Sequence, residues 1–239
     1  MARRRFFVDT PHNGLAELHG DEARHLTRVL RVEPGQRFEI SDNGAAYLAE
    51  IAEARGERVV FRVLEPIPAP PPVVSLTLLA SIVKFDRFEW IVEKATELGV
   101  ERIVPVAATR TEKGLFEASA KRSERWMRIA RESSQQSRRV RMPEILQAIR
   151  FDRAIAELAD YRCFLDEAAA PPLLATLPPA RTGADQIAVL LGPEGGWTDS
   201  ERQLATASGW RSASLGPQIL RTETAAVAAL AILANAWMV

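Results

Sequence analysis

Hydrophobic and polar positions follow two different rhythms along this chain, and the change falls at a proline-rich stretch. Before that stretch, residues 37–40 alternate, Asp42-Asn43-Gly44 makes a turn, 47–51 begin a return strand and 58–64 alternate again. A period of two marks half-buried strands, so this half predicts a small β-barrel. One helical segment, 21–30, interrupts it, with Leu26, Val29 and Leu30 on its apolar face and Pro34-Gly35 as the turn beyond. Residues 65–72 then hold five prolines. Proline denies a helix or central strand its N–H groups, so the segment is extended. It separates a domain at 1–70 from another at 73–239.

The second half alternates strand and helix. Residues 73–83 are a β-rich run. Phe88, Ile91, Val92, Ala95 and Leu98 recur at helical spacing over 86–98, with Asp86 and Glu89 set as a capping box and Gly99 as the stop. Strands are predicted at 103–107, 161–165, 187–191 and 213–215, and a basic helix at 118–136. Thr198-Asp199-Ser200-Glu201 is a second capping box, opening a helix that ends at Gly209. The last helix, 223–237, is apolar nearly all round, which means burial on more than one side, in a monomer core or a two-fold dimer interface. Alternating strands and helices predict an α/β fold with a largely parallel, doubly covered sheet.

Composition narrows the class. With 47% apolar and 26% charged residues, the chain reads as globular. Arg3-Arg4-Arg5 is followed only by Phe6-Phe7-Val8 before Asp9, too short for the apolar core of a signal peptide. The apolar stretch 225–239 falls short of the ~20 residues that span a bilayer, so a cytoplasmic location is expected. A single cysteine, Cys163, excludes an internal disulfide and a cysteine-rich zinc site; inside the run 161–165 it reads as a buried core thiol. His12, His19 and His25 match no zinc spacing, and no metal is expected.

Net charge is zero, but between 121 and 150 nine basic residues stand against three acids. The cluster runs past the predicted helix into Arg138-Arg139-Val140-Arg141, which favours a nucleic-acid surface over a solvated helix face. Arginine outnumbers lysine 27 to 4. Its planar fork suits phosphate and base recognition, although a GC-rich genome accounts for the preference equally well. His25 and Arg28 share a helix face, with Arg31 close by; RNA contact and an ordinary surface histidine are both open readings.

The chemistry-bearing signal is a pair of loops. Leu191-Gly192-Pro193-Glu194-Gly195-Gly196 and Leu215-Gly216-Pro217-Gln218-Ile219-Leu220-Arg221-Thr222-Glu223-Thr224-Ala225 each follow a predicted strand and run into a helix. Loops at strand ends in open α/β sheets are where ligands sit, and glycine admits a ligand close to the backbone. Thr222 reads as an ordinary helix cap, which leaves the arginine beside it unexplained. Motifs for a P-loop, a dinucleotide fold, a zincin and an α/β-hydrolase are missing from the sequence.

In this order and spacing the two loops resemble the RsmE family of SPOUT-class RNA methyltransferases, which methylate N3 of a uridine in small-subunit ribosomal RNA. The segment His25-Leu26-Thr27-Arg28-Val29-Leu30-Arg31 with Gly35 is similar to that family's N-terminal pattern. Lys84-x-x-Arg87-x-x-Trp90-x-x-x-Lys94-Ala95-Thr96-Glu97-Leu98-Gly99-Val100 with Ile103-x-Pro105 is a close match, as are residues 125–130 with Glu132, Gln136, Arg139, Pro143 and Ile145. The chain departs from the pattern at Gln135, where glutamate is expected, and at Arg138, where glycine is expected.

The resemblance implies a C-terminal SPOUT α/β trefoil-knot domain with a parallel sheet and a PUA-like N-terminal β-barrel that binds RNA. It implies S-adenosyl-L-methionine as methyl donor, held by loops at 165–167, 191–196 and 215–220. The residues implied are Leu165, Leu191, Gly192, Glu194, Gly195, Leu215, Gly216, Ile219, Leu220 and Thr222. Uridine N3 carries a proton, so the site must stabilise a developing imide anion. Arg221 is the candidate for that task, with Glu194 or Glu223 assisting deprotonation. RNA contacts are expected at His25, Arg28, Arg31, Lys84, Arg87, Arg138, Arg139 and Arg141. The expected partner is 16S rRNA or the assembled small subunit, and the expected assembly a homodimer. A SPOUT enzyme acting on tRNA or a ribose 2′-hydroxyl, and a non-catalytic RNA-binding protein, are the alternatives.

Overall fold

The structure is a computed structural model and describes residues 5–238; Arg3, Arg4 and Val239 lie outside the described residues. The chain forms two compact units, Met1–Pro70 with Arg131–Met142, and Pro71–Ala130 with Pro143–Val239.

In the first unit, β1 (Arg5–Phe7), β2 (Leu15–His19), β3 (Arg37–Ser41), β4 (Ala46–Arg55) and β5 (Arg58–Ile67) form one sheet in the order β1-β3-β4-β5-β2. The sheet is a curled half-barrel. Register shifts at Leu48/Ala49 and Ile51/Glu53 bend the long β4–β5 pair, and beyond β1 the Asp9 N–H reaches Glu17 O on β2 at 3.1 Å. The predicted turn is present: Asp42 Oδ1 accepts from the Gly44 and Ala45 N–H groups at 2.9 and 2.7 Å. Phe6, Leu18, Leu26, Ile40, Ile51, Val59 and Phe61 fill the concave side.

The helix expected at 21–30 is different in kind. An α-helical turn, α1 (Gly20–Arg24), passes into a π-helical turn, His25–Leu30. The wider winding breaks the expected apolar face: Leu26 is buried, whereas Val29 and Leu30 are exposed.

Residues 131–142 belong to this unit through charge. Arg131 donates to both Glu22 carboxylate oxygens at 2.6 and 2.9 Å, and to Phe7 O at 2.8 Å. Arg5 and Arg138 share the Glu39 carboxylate. Ser41 Oγ donates to Val140 O at 2.6 Å. Arg138, where glycine was expected, has φ +59°, the left-handed backbone that favours glycine; its ion pair with Glu39 offsets the strain.

The second unit has β6 (Ser75–Ser81), α2 (Phe85–Glu97), β7 (Arg102–Ala107), α3 (Leu115–Ser119), α4 (Ser123–Gln136), β8 (Glu144–Ile145), β9 (Ile149–Arg150), α5 (Phe151–Ala154), β10 (Tyr161–Leu165), β11 (Gln186–Leu191), α6 (Asp199–Ala207), β12 (Arg211–Ala213) and α7 (Thr222–Ala236). The last six residues of α4 fall in the first unit. The sheet order is β12-β10-β11-β6-β7-β8, with β9 also on β7, and every pairing is parallel. Both faces are covered, as such strands require. Leu76, Leu78 and Ala80 pack with α2, Trp126 and α7 on one side; Leu79, Val104, Phe164, Leu190, Trp197 and Trp210 pack on the other. Cys163 is a core thiol as predicted, and burial pushes its pKa up to about 11.

Two caps differ from expectation. α2 starts one residue early, with Lys84 at its N-cap and no side-chain cap. Glu89 is taken instead by Arg125 at 2.7 Å. Thr222 is the first residue of α7, and its hydroxyl donates to Gly192 O at 3.4 Å. The Thr198–Glu201 capping box forms as predicted. β12 ends at Ala213, two residues before the expected strand end.

Candidate active site

β12, β10 and β11 are neighbours and all parallel, so their C-terminal ends open on one edge of the sheet. The loops leaving them meet in an open cleft with an enclosed volume of about 100 Å³. Leu165, Asp166 and Glu167 line it from the first loop. Leu191, Gly192, Pro193, Gly196 and Trp197 line it from the second, and 213–220 with Thr222 and Ala225 from the third.

Trp197 is the structural pivot. It stacks on Phe164 at a centroid distance of 4.7 Å, and its indole N–H donates to Leu165 O at 2.8 Å. A Cβ at Gly192 would lie 3.0 Å from the same indole, and one at Gly196 would run into the Glu167 carboxylate, from a backbone at φ +69°. Both positions therefore favour glycine. Gly216, at φ +126°, has open space beside it.

α6 braces the loops. Arg202 donates to both oxygens of Asp166 at 2.9 and 3.1 Å and to Trp197 O at 2.9 Å; the Asp166 bond holds the guanidinium pKa above its usual value. Glu201 is buried yet accepts from the Thr109 N–H at 2.8 Å and from the Thr198 N–H at 2.9 Å. Burial pushes its pKa up, and the hydrogen bonds from Thr109 and Thr198 outweigh that, so the net direction is down.

The chemistry of the lining fits S-adenosylmethionine. Leu191, Leu215, Ile219 and Leu220 offer apolar surface for a purine, and backbone groups of three loops offer its hydrogen bonds. The exposed Glu167 suits a cationic ligand, whereas Asp166 is neutralised by Arg202, and among the described residues no lysine or arginine lines the cleft. No group of three or more potential metal ligands exists among the described residues.

Of the residues expected from the sequence, Leu165, Leu191, Gly192, Leu215, Gly216, Ile219, Leu220 and Thr222 line the cleft. Glu194 and Gly195 do not. The Glu194 carboxylate is held by Arg87. Gly195 lies against Arg110, whose guanidinium donates to Gly195 O at 2.8 Å. Arg221 is the N-cap of α7 and exposed; its carbonyl accepts from the Ala225 N–H at 2.9 Å, and its guanidinium has no hydrogen bond or ion pair among the described residues. It sits between two cleft residues in the chain, Leu220 and Thr222.

The expected RNA contacts divide. His25, Arg28, Arg31, Lys84 and Arg141 are exposed. Arg87 is committed to Glu194 and Arg138 to Glu39, and Arg139 Nε donates to Arg141 O at 3.0 Å. Sequence reasoning missed Trp197, Arg202, Glu201 and Arg110 as parts of the site. Only the Thr198–Glu201 box carried a local signal, and it spoke for a helix cap.

A family model described as an RNA methyltransferase domain matches residues 69–234, and one described as an RNA methyltransferase PUA domain matches 18–64. Ribosomal RNA small subunit methyltransferase E of Synechocystis is 34% identical over 90% of this chain and 70% of that protein. The Aquifex aeolicus protein of the same name is 31% identical over 96% of this chain and 98% of its own length. Among solved structures, ribosomal RNA small subunit methyltransferase E of Neisseria gonorrhoeae bound to S-adenosyl methionine has a TM-score of 0.87 and 30% identity, covering 98% of both chains. A Legionella pneumophila protein described as a methyltransferase with bound SAM has a TM-score of 0.88 and 28% identity, covering 99% of this chain and 98% of the other. With a SPOUT α/β trefoil-knot domain that carries the cleft and a PUA domain ahead of it, this chain belongs to the ribosomal RNA small subunit methyltransferase E family.

Proposed function

We propose that this chain transfers the methyl group of S-adenosylmethionine to N3 of a uridine in the 16S rRNA of the small ribosomal subunit. The observation that carries the reading is the glycine-walled cleft, which no lysine or arginine lines among the described residues, with the exposed Arg221 between two of its lining residues in the chain. In the reaction an N3–C bond forms as the S–CH3 bond breaks, S-adenosylhomocysteine departs, and the N3 proton is lost. Negative charge builds on the uracil O2 and O4 as the N3 proton leaves, and the arriving methyl group discharges it. Arg221 supplies a fixed cation there without binding the donor itself, so its effect falls on the transition state. Glu194 is the candidate proton acceptor once it leaves Arg87. Glu223 is the second candidate, with a buried Oε2 that has no partner among the described residues.

The working form in this reading is a cytoplasmic homodimer. Ile219, in the cleft lining, is still 85% exposed, and Leu174, close to the same loop, is also in water; a second copy would cover what the donor leaves open. Most of α7 itself is explained by core burial of Ala226, Ala229, Leu230 and Leu233. No helix among the described residues is long and apolar enough to cross a membrane. The test is mass-spectrometric mapping of methylated nucleosides in ribosomal RNA from cells with and without the gene, paired with methylation by the purified protein. Loss of 3-methyluridine from small-subunit RNA supports the reading. Loss of a ribose 2′-O-methyl or a tRNA mark instead overturns it.

A further inference from the structure

One surface of the first unit is unused by the cleft chemistry. The chain enters the π-helical turn His25–Leu30 from α1 and leaves it through Arg31 at φ 49° and ψ 49°. Both features cost energy. π turns are rare and concentrate at functional sites, and a non-glycine residue at positive φ persists only where its surroundings hold it. Here they do. Leu26 is 0% exposed in the core with Ala23 and Val32. The Arg31 and Val32 N–H groups both reach Leu26 O. The Thr27 hydroxyl donates to Gly56 O at 2.7 Å.

What this anchored turn displays is an apolar pair in water: Val29 is 65% and Leu30 49% exposed. Two arginines flank the pair. Arg28 and Arg31 are both exposed; Arg28 attracts the Glu57 carboxylate without forming a close ion pair, Arg31 has no ion pair among the described residues, and His25 is exposed at the start of the turn. Arg24, by contrast, is committed to Glu57 at 2.5 Å and Asp21 at 3.0 Å. No acid occurs from Ala23 to Val32.

We propose that Val29 and Leu30 form an apolar wedge that enters ribosomal RNA and holds a nucleotide out of its stack, while Arg28 and Arg31 engage the phosphates on either side. The proposal rests on the reading that this chain acts on small-subunit rRNA. An aliphatic pair flanked by two exposed arginines asks for a partner with apolar faces and negative charge close together, and a nucleic acid supplies both. Aliphatic side chains that part stacked bases are a recurrent device in nucleic-acid binding, and RNA offers its sequence chiefly at unstacked nucleotides. A second copy docked here about a two-fold axis would set Arg28 and Arg31 against their own counterparts.

The test uses the full chain and 16S rRNA transcribed in vitro. In the V29S/L30S variant, RNA affinity is expected to fall about tenfold or more at fixed salt, with the slope of log K against log salt unchanged. In R28Q/R31Q the slope itself is expected to drop by about 2. Donor affinity stays constant in both. In the wild-type complex a nucleotide gains reactivity to 2′-hydroxyl acylation, and V29S/L30S abolishes that gain. The substituted side chains are exposed, so thermal midpoints should match; the single L30A variant serves as a milder check. Wild-type RNA affinity in V29S/L30S overturns the wedge, as does a change in sedimentation that leaves RNA affinity intact. A wild-type protein that neither binds nor methylates 16S rRNA, either as the transcript or in assembled small subunits, removes the underlying reading and the wedge with it. Normal methylation combined with an indifferent V29S/L30S sinks the wedge alone.

Discussion

Replacing Trp197 with phenylalanine tests whether the cleft depends on one indole. Trp197 is buried, packs on Phe164 and Phe151 at 4.7 and 5.3 Å, and donates to Leu165 O at 2.8 Å. Phenylalanine keeps most of the aromatic contact but has no N–H. The Leu165 carbonyl, left without this donor in a dry site, costs about 1–3 kcal/mol. The missing part of the indole leaves a void of roughly 30–40 Å³, which adds about 1 kcal/mol at ~24 cal/mol per Å³. The total, about 2–4 kcal/mol, is a large share of the ~5–15 kcal/mol that holds a typical protein folded. Leu165 and Gly192 line the cleft, so part of that loss is expected as donor affinity, where each 1.4 kcal/mol is about tenfold. Urea denaturation followed by circular dichroism reads the first quantity, and titration calorimetry with S-adenosylmethionine the second. A Trp197→Phe protein with the wild-type urea midpoint and wild-type donor affinity would refute the reasoning.

Three further outcomes are expected. Arg221→Ala should bind donor and RNA normally but turn over ~10²–10³-fold more slowly, with partial recovery in Arg221→Lys because lysine lacks the planar fork; single-turnover kinetics decides, and a loss of donor binding would reassign Arg221 to the cofactor site. Gly216→Val should abolish donor binding by straining a φ +126° backbone and filling open space beside the cleft. Gly195→Ala, facing Arg110 at 3.2 Å, should change donor affinity far less; equal effects in calorimetry would contradict this geometry. Glu201→Gln should be less stable than wild type at neutral pH. Because the folded pKa of Glu201 lies below the ordinary 4.5, its contribution is full above that value and fades as pH falls through the lower folded value. The gap between variant and wild type should therefore close only in acid, and a gap independent of pH in denaturation curves would rule out the charge as its source.

The parts of the molecule that were legible in the sequence are those fixed by local pattern. The parallel strands read as unbroken apolar runs because both their faces are covered, and Gly99 and Gly209 ended their helices as their positive φ values require. The cleft was legible because its lining residues leave the ends of their strands directly. The braces were not, because they join residues far apart in sequence: Arg202 to Asp166 and Glu201 to Thr109 have no periodic signature. Glu194 misled for the same reason. Its loop position was correct, but Arg87, more than a hundred residues earlier, claims its side chain. The π turn at 25–30 escaped because a 3.6-residue pattern through Leu26, Val29 and Leu30 looks sound until the winding changes.

Arg131–Met142 changes what counts as a separable piece of this protein. The prolines at 66–72 mark a break in the chain's pattern, yet the first unit is discontinuous in sequence and draws these twelve residues from far downstream. A gene fragment stopping at Pro70 would lack both Arg131, which holds Glu22, and Arg138, which shares Glu39 with Arg5. It would also lose the strut from Ser41 to Val140. Such a fragment is expected to express as a sticky, poorly ordered sheet, and a protease cut within 66–72 to leave the two products associated. RNA-binding work on the N-terminal half alone would then measure a damaged object, and a domain-exchange experiment must move 131–142 together with 1–70.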